Sequence, residues 1–108
     1  MSFAVLLTND AARDLDELYD YIAVHDAPEK ADHVLDRIEE AFSGLSQFHE
    51  RGVYPKELLA IGIREYRAIF FKPYRVIYRI MDKNVYVLLI VDGRRDMQTI
   101  LQRRLLEA

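Results

Sequence analysis

Apolar and polar positions recur along this chain with two different periods, and the change of period divides it into elements. Residues 3–7 form a wholly apolar run, which suits a short buried strand. Apolar residues then recur three and four positions apart in two stretches, which predicts two helices with one apolar stripe each. The two stripes consist of Leu15, Leu18, Tyr19 and Ile22, and of Ala31, Leu35, Ile38, Phe42 and Leu45.

The two predicted helices are joined by a very short connection that can stop one helix and start the next. Asp26 is placed to cap the second helix, Pro28 falls in its first turn, and Glu29 occupies the capping-box position. A connection of this length predicts an antiparallel helical hairpin. The acidic residues of the first helix, Asp14 among them, are expected mainly on its outer side.

The second half of the chain changes to the patterns of strands. Gly52 and Pro55 interrupt an irregular stretch over residues 47–60, and Asp96 is a plausible cap for a terminal helix. Runs rich in β-branched and aromatic residues, separated by turn formers, predict a β-hairpin and a strand before it. The predicted strands are residues 61–71, 74–81 and 85–91, and the terminal helix is residues 97–106.

The resulting order is β-α-α-β-β-β-α, and it indicates an α+β fold. The last three strands are sequential, so we expect an antiparallel meander. The N-terminal helical hairpin can cover one face of this sheet, which leaves the opposite face partly open and bordered by arginines. At 108 residues the chain is expected to form a single domain over residues 1–108.

Charge is distributed unevenly along the chain. The formal net charge is −3, yet residues 1–50 hold three basic and twelve acidic residues (−9), and residues 51–108 hold twelve basic and six acidic residues (+6). Such asymmetry indicates an acidic face and a basic face with separate possible partners. The alternative is that acidic residues coat solvated helices while arginine stems lie along the sheet.

Composition excludes several classes of protein. The chain contains no cysteine, so disulfides, thiolate metal sites and cysteine nucleophiles are excluded. No stretch approaches the roughly 20 apolar residues needed to span a bilayer. The first residues lack the basic region and apolar segment of a secretory signal, so we expect a cytoplasmic protein. His25, His33 and His49 are scattered without a ligand-like spacing, and no metal site is expected.

The ordered set of motifs resembles the RelE/ParE superfamily of bacterial type II toxin–antitoxin toxins, and most closely its ParE, or plasmid-stabilisation, branch. The residues that carry the resemblance are the N-terminal strand, Ala11-Ala12-Arg13-Asp14-Leu15 at the start of the first helix, Tyr74-Arg75-Val76-Ile77-Tyr78, and the strand over residues 85–91 that runs into Gly93-Arg94-Arg95-Asp96. The resemblance covers almost the whole chain.

The resemblance implies one of two activities. RelE-like toxins cleave mRNA in the ribosome, whereas ParE-like toxins inhibit DNA gyrase; both are neutralised by a co-encoded antitoxin in a hetero-oligomer, and no cofactor is implied. Cleavage at a 2′-hydroxyl needs a base, an acid and cations for the phosphate. Arg75 and Arg95 match the RelE-branch arginines. Tyr66 and Ala68 stand where that branch has lysines, although Arg67 lies between them. No Tyr or His occurs in residues 97–108, and this favours the gyrase-directed branch.

The arginines near the ends of the strands are the candidate binding residues. For the target or the antitoxin they are Arg75, Arg94, Arg95, Arg103 and Arg104; for the alternative ribonuclease they are Arg67, Arg75 and Arg95. Each also has a structural alternative, because Arg75 can pair with an acidic residue across the sheet, and Arg94 or Arg95 can bond the helical hairpin or loop carbonyls. We expect the antitoxin to add an extended segment, rich in acidic residues, to the sheet face or edge.

Overall fold

A computed structural model describes residues 2–107 as a four-stranded sheet with helices on both faces. The predicted α+β class and order of elements are confirmed, with one additional short helix, α3. None of the helices over these residues is long and apolar enough to cross a lipid bilayer. The elements are β1 (Ala4–Leu7), α1 (Asn9–His25), α2 (Pro28–Ser43), α3 (Lys56–Leu59), β2 (Arg67–Phe71), β3 (Tyr74–Met81), β4 (Asn84–Asp92) and α4 (Met97–Leu101), which continues as a π-helical turn over Gln102–Leu106.

The sheet has the strand order β1-β4-β3-β2. The antiparallel β2-β3-β4 meander is confirmed, and β1 pairs parallel to β4 from Ala4 opposite Asn84 to Leu7 opposite Val87. The strand predicted over residues 3–7 is present as β1, but the prediction that it is buried was wrong, because β1 lies at the sheet edge and none of its residues is fully buried. β1 is short, and it borders only the first half of β4.

The helical hairpin packs on one face of the sheet, as predicted. The Thr8 hydroxyl accepts a hydrogen bond from the Ala11 N–H (3.1 Å) and so begins α1. Most of the two predicted stripes is buried, but Leu18, Tyr19 and Leu35 are only half-buried. Val34, which the stripe omitted, is buried because it follows Ala31 by three residues and precedes Ile38 by four.

The cap predicted for α2 was wrong by one residue. Ala27, not Asp26, precedes the first residue of the helix, and it makes no side-chain cap hydrogen bond. Pro28 occupies the first helical position, which fixes the cap on the residue directly before it. Asp26 instead ends α1, where its N–H bonds the Ile22 carbonyl (2.8 Å), and its carboxylate pairs with Lys30 (3.0 Å).

The strand predicted to begin at Ile61 begins six residues later, at Arg67. The Ile61 and Gly62 N–H groups bond the carbonyls of Leu58 and Leu59, so this stretch continues the turn of α3. Gly62 has φ +78, a conformation that side chains rarely adopt. The apolar run was therefore a helix end and turn, and only its second half is a strand.

The second face of the sheet is less open than predicted. Leu58 of α3 and Met97 and Leu101 of α4 form a second core with sheet residues. Those sheet residues are Ala68, Ile77, Leu89 and Val91. The pairing of β3 with β4 shifts register between Ile77 and Tyr78, and this β-bulge leaves Leu88 of β4 without a partner on β3. Leu88 and Leu89 therefore both contact this second core. A groove lined by Tyr66, Arg79, Tyr86 and Leu105 stays uncovered at the end of the C-terminal helix, which is α4 with its π-helical continuation.

Candidate partner-binding site

Four of the five predicted binding arginines line one cleft. Arg94 and Arg95 lie in the loop after β4, and Arg103 and Arg104 lie in the π-helical turn that ends the C-terminal helix. The cleft has a volume of about 900 Å³ and runs between α1, the second half of β4 and the C-terminal helix. Arg75 lies outside it.

Arg75 is held by a carboxylate of the short helix α3. Its two terminal nitrogens donate to the two oxygens of Glu57 at 3.0 and 3.2 Å, and the side chains are only 13% and 15% exposed. Burial raises the pKa of Glu57, but the hydrogen bonds and charge of Arg75 outweigh it and bring the pKa below its ordinary value. Arg75 thus fixes α3 to the sheet. The structure therefore shows the alternative in which Arg75 pairs with an acidic residue. The partner lies on α3, however, and not across the sheet.

Arg67, the additional arginine of the ribonuclease alternative, also makes contacts within the fold. It donates to the carbonyls of Glu50 (3.1 Å) and Gly52 (3.0 Å). Its guanidinium lies 4.8 Å from the centroid of the Tyr54 ring. These bonds tie the irregular segment before α3 to the first strand of the meander.

Arg104 forms the most buried ion pair of the cleft. It donates to both oxygens of Asp14, at 2.8 and 2.9 Å, and the side chains are 26% and 11% exposed. The hydrogen bond to Asp14 raises the pKa of Arg104. The pair also binds the backbone of β4, because Arg104 donates to the Leu88 carbonyl and Asp14 accepts from the Ile90 N–H, each at 3.0 Å.

Asp14 is a residue of this site that the sequence interpretation missed. It was expected on the outer side of α1, with the other acidic residues of that helix. The signal was present, because Asp14 follows the buried Ala11 by three positions and precedes the half-buried Leu18 by four. These spacings place Asp14 on the flank of the apolar stripe, where a carboxylate needs a partner.

Arg94 is oriented by the last residue of β4. It donates to both oxygens of Asp92, at 3.0 and 2.6 Å, but its side chain remains 76% exposed. The hydrogen bond from Arg94 lowers the pKa of Asp92, against a smaller opposing effect of burial. Arg94 is therefore positioned by the fold and still accessible to a partner.

Arg95 and Arg103 are the most available arginines of the cleft. Both are exposed, and over residues 2–107 neither has a carboxylate within ion-pair distance. The loop that carries Arg95 is ordered by Asp96, which caps α4 as predicted by accepting from the N–H (3.2 Å) and hydroxyl (2.7 Å) of Thr99.

The cleft has walls of opposite charge. Asp10, Asp14 and Glu17 of α1 line one side, and the four arginines line the other together with Asp92 and Glu107. Burial and the Asp92 charge raise the pKa of Tyr74 at one end of the cleft. The shifts raise the pKa of Tyr74 and Arg104 and lower that of Asp92, so each of the three groups keeps its ordinary charge state near neutral pH. The arrangement suits the binding of a polypeptide by charge and main-chain contacts.

Comparison with known proteins assigns the fold and the family. A family profile described as "ParE toxin of type II toxin-antitoxin system, parDE" matches residues 5–97. Toxin ParE3 of Caulobacter vibrioides is 31% identical over 93 residues, which are 86% of this chain and 89% of that protein. A solved structure titled as the chromosomal ParDE TA system from P. aeruginosa is 26% identical, with a TM-score of 0.71 over 84% of this chain and 96% of that chain.

The same fold also occurs in a protein of a RelBE system. A structure titled as the toxin–antitoxin complex RelBE2 from Mycobacterium tuberculosis has a TM-score of 0.61 and 23% identity. The match covers 85% of this chain and 99% of that chain. At this identity the likeness concerns the fold alone.

Proposed function

The chain belongs to the ParE toxin family of type II toxin–antitoxin systems, and from this premise we propose that it arrests growth by binding DNA gyrase. We propose further that a co-encoded antitoxin neutralises it in a hetero-oligomer, and that residues 1–108 act as a single toxin domain. A cytoplasmic location and a role in plasmid stabilisation are part of the same proposal.

The single observation that favours gyrase over mRNA as the target is the ion pair that Arg75 forms within the fold. The resemblance implies that a RelE-like ribonuclease would use Arg75 to bind the substrate phosphate, whereas here Glu57 binds Arg75 through two hydrogen bonds and offsets its charge. Arg67 is likewise engaged by two backbone carbonyls. Of the three arginines required by the ribonuclease alternative, only Arg95 is exposed and outside such contacts.

The exposed arginines of the cleft support a protein target. Over residues 2–107, Arg95 and Arg103 have guanidinium groups without a carboxylate partner, and Arg94 presents a third that Asp92 holds in place. Arginine is enriched among the residues that contribute most to protein interfaces, because its planar fork binds carboxylates in a bidentate manner. Arg103 and Arg95 are therefore the residues through which we expect the toxin to contact gyrase, with Arg94 beside them.

The test compares two activities of one purified protein. We expect inhibition of gyrase supercoiling, and no mRNA cleavage in a ribosome-dependent translation assay. Replacing Arg95 and Arg103 together by Ala should weaken gyrase inhibition by about tenfold or more, since a lost interface arginine can cost about 2 kcal/mol. Specific mRNA cleavage, or full supercoiling in the presence of the chain, would refute the proposal.

A matched control separates the site from a general effect of charge. Arg37 is 50% exposed by side chain and pairs with Glu40 on its own helix, and Arg64 is exposed in the turn before β2; neither residue lines the cleft. Replacing both by Ala removes the same charge without touching the cleft. We expect this control to keep full gyrase inhibition, and thermal melts of both double variants to match the wild type within a few degrees.

A further inference from the structure

The second half of β4 has an unpaired edge. β1 ends at Leu7, which lies opposite Val87, because the chain turns into α1 at Asn9. Over residues 2–107, no strand lies beside residues 88–92 on that side of the sheet. The backbone of an edge strand exposes hydrogen-bonding groups that can pair with another chain.

Two side chains occupy the positions where a neighbouring strand would bond. Arg104 supplies a donor to the Leu88 carbonyl, and Asp14 supplies an acceptor to the Ile90 N–H, both at 3.0 Å. A strand paired with this edge would likewise donate one hydrogen bond to a carbonyl of β4 and accept another from an N–H two residues further along. The Asp14–Arg104 ion pair therefore replaces a missing stretch of β-strand.

The cleft lies along this same edge. Its floor includes Leu89, Ile90 and Val91, and its walls are α1 on one side and the C-terminal helix on the other. The five residues 88–92 span about 16 Å in extended conformation, at about 3.3 Å for each residue. A partner strand of about five residues would therefore match the length of β4 that has no neighbouring strand on this side.

We propose that this edge is the docking site for an extended segment of the antitoxin, and that an arginine of that segment replaces Arg104 on Asp14. This inference rests on the proposed neutralisation by an antitoxin. The incoming strand takes over the bonds to Leu88 and Ile90, and Arg104 turns outward to join Arg95 and Arg103.

The requirement for a basic residue follows from the environment of Asp14. The Asp14 side chain is only 11% exposed, so its carboxylate would be left buried and unpaired once Arg104 moved away. Asp10 and Glu17 line the same wall and add negative charge. An arginine matches a carboxylate with two parallel hydrogen bonds and always carries its charge, which makes it a better replacement than lysine.

The first experiment examines the edge directly in the wild-type complex. The chain and its co-encoded antitoxin are purified together, and amide hydrogen exchange and interchain nuclear Overhauser effects are measured by NMR. We expect contacts between a backbone segment of the antitoxin and residues 88–92, and exchange of the Ile90 amide at least about tenfold slower than in the free chain. A stable complex without these changes would overturn the docking site and leave neutralisation intact. Failure to form any complex would overturn both.

The second experiment measures antitoxin affinity for three variants. Asp14→Asn keeps an acceptor for Ile90 but removes the charge, and should weaken binding by about tenfold or more. Asp16→Asn, the same change at an exposed position of α1, should leave the affinity within about twofold. Arg104→Ala removes the competing side chain and should preserve or strengthen binding. The result that would refute the replacement of Arg104 by an antitoxin arginine is a loss of antitoxin affinity with Arg104→Ala as large as that with Asp14→Asn. This holds only if the Arg104→Ala variant keeps the amide hydrogen exchange pattern of the wild type, which shows that it is folded.

Discussion

The ion pair between Glu57 and Arg75 should contribute substantially to the stability of the fold. Breaking a fully buried pair by removing one partner costs about 3–5 kcal/mol, because the other charge is left uncompensated. Both side chains here keep some exposure, 13% for Arg75 and 15% for Glu57, so we expect about 2–3 kcal/mol for either single change. For a domain of this size each kcal/mol corresponds to about 4–8 °C in Tm.

The assay is a double-mutant cycle followed by thermal and denaturant unfolding. Arg75→Met and Glu57→Leu each leave one unpaired charge, whereas the double variant leaves none and places two apolar side chains in contact. We therefore expect the double variant to be more stable than the sum of the single losses predicts, by about 1–3 kcal/mol. Near-neutral replacement of buried pairs by apolar residues is well established.

An exposed pair of the same length is the control. Arg37 and Glu40 are 3.1 Å apart, against 3.0 Å for Arg75 and Glu57, but their side chains are 50% and 67% exposed. Arg37→Ala should therefore cost less than about 1 kcal/mol. Equal losses at the two sites, or strictly additive losses in the cycle, would show that burial does not strengthen the Glu57 pair and would refute the reasoning.

Three further measurements test the core, a loop and the pH dependence. Phe42→Ala should cost about 3–5 kcal/mol of unfolding free energy, because Phe42 is buried between the hairpin and the sheet; a loss below about 1 kcal/mol would contradict this packing. Tyr78→Phe should cost about 1–3 kcal/mol, since it leaves the buried Gly52 N–H and the His49 carbonyl without their partner; an unchanged urea midpoint would contradict it. Folding lowers the pKa of Glu57, so the ionised carboxylate stabilises the folded state fully at pH above its ordinary pKa of 4.5. This stabilisation decreases as the pH falls through the lower pKa of Glu57 in the folded state. The Tm difference between wild type and Glu57→Gln should shrink over that range, and a constant difference would contradict the shift.

The strands and helices could be predicted because their signals are local. The meander strand over residues 74–81 was predicted with its exact bounds, since β-branched and aromatic residues fill it and turn formers flank it. The predicted cap by Asp96 likewise depends on a residue only three positions away. The start of the strand predicted at Ile61 was wrong because an apolar stretch can be a strand or the end of a helix. Only the tertiary packing of Leu58 decides between the two.

The candidate site could be predicted only in part, because its contacts join distant parts of the chain. The sequence indicated arginines near the strand ends, and four of them do meet in one cleft. Their partners could not be read from spacing, since Arg104 pairs with Asp14 across 90 residues and Arg75 with Glu57 across 18. The binding role of Arg75, Arg94, Arg95, Arg103 and Arg104 stays a prediction, and the structure ranks them by how exposed each one is.

The folded chain does not keep the charge division of its sequence. The acidic first half and the basic second half suggested an antitoxin segment rich in acidic residues. Folding brings α1 of the first half against the C-terminal helix of the second, and Asp14 and Arg104 neutralise each other where they meet. A partner in this cleft therefore faces carboxylates of Asp10 and Glu17 on one side and guanidinium groups of Arg95 and Arg103 on the other. Because like charges across an interface are costly, a segment with only acidic residues would be repelled by the α1 wall. We infer that the antitoxin strand presents basic side chains to α1 and acidic side chains to the C-terminal helix, which the alternation of side chains along a strand allows.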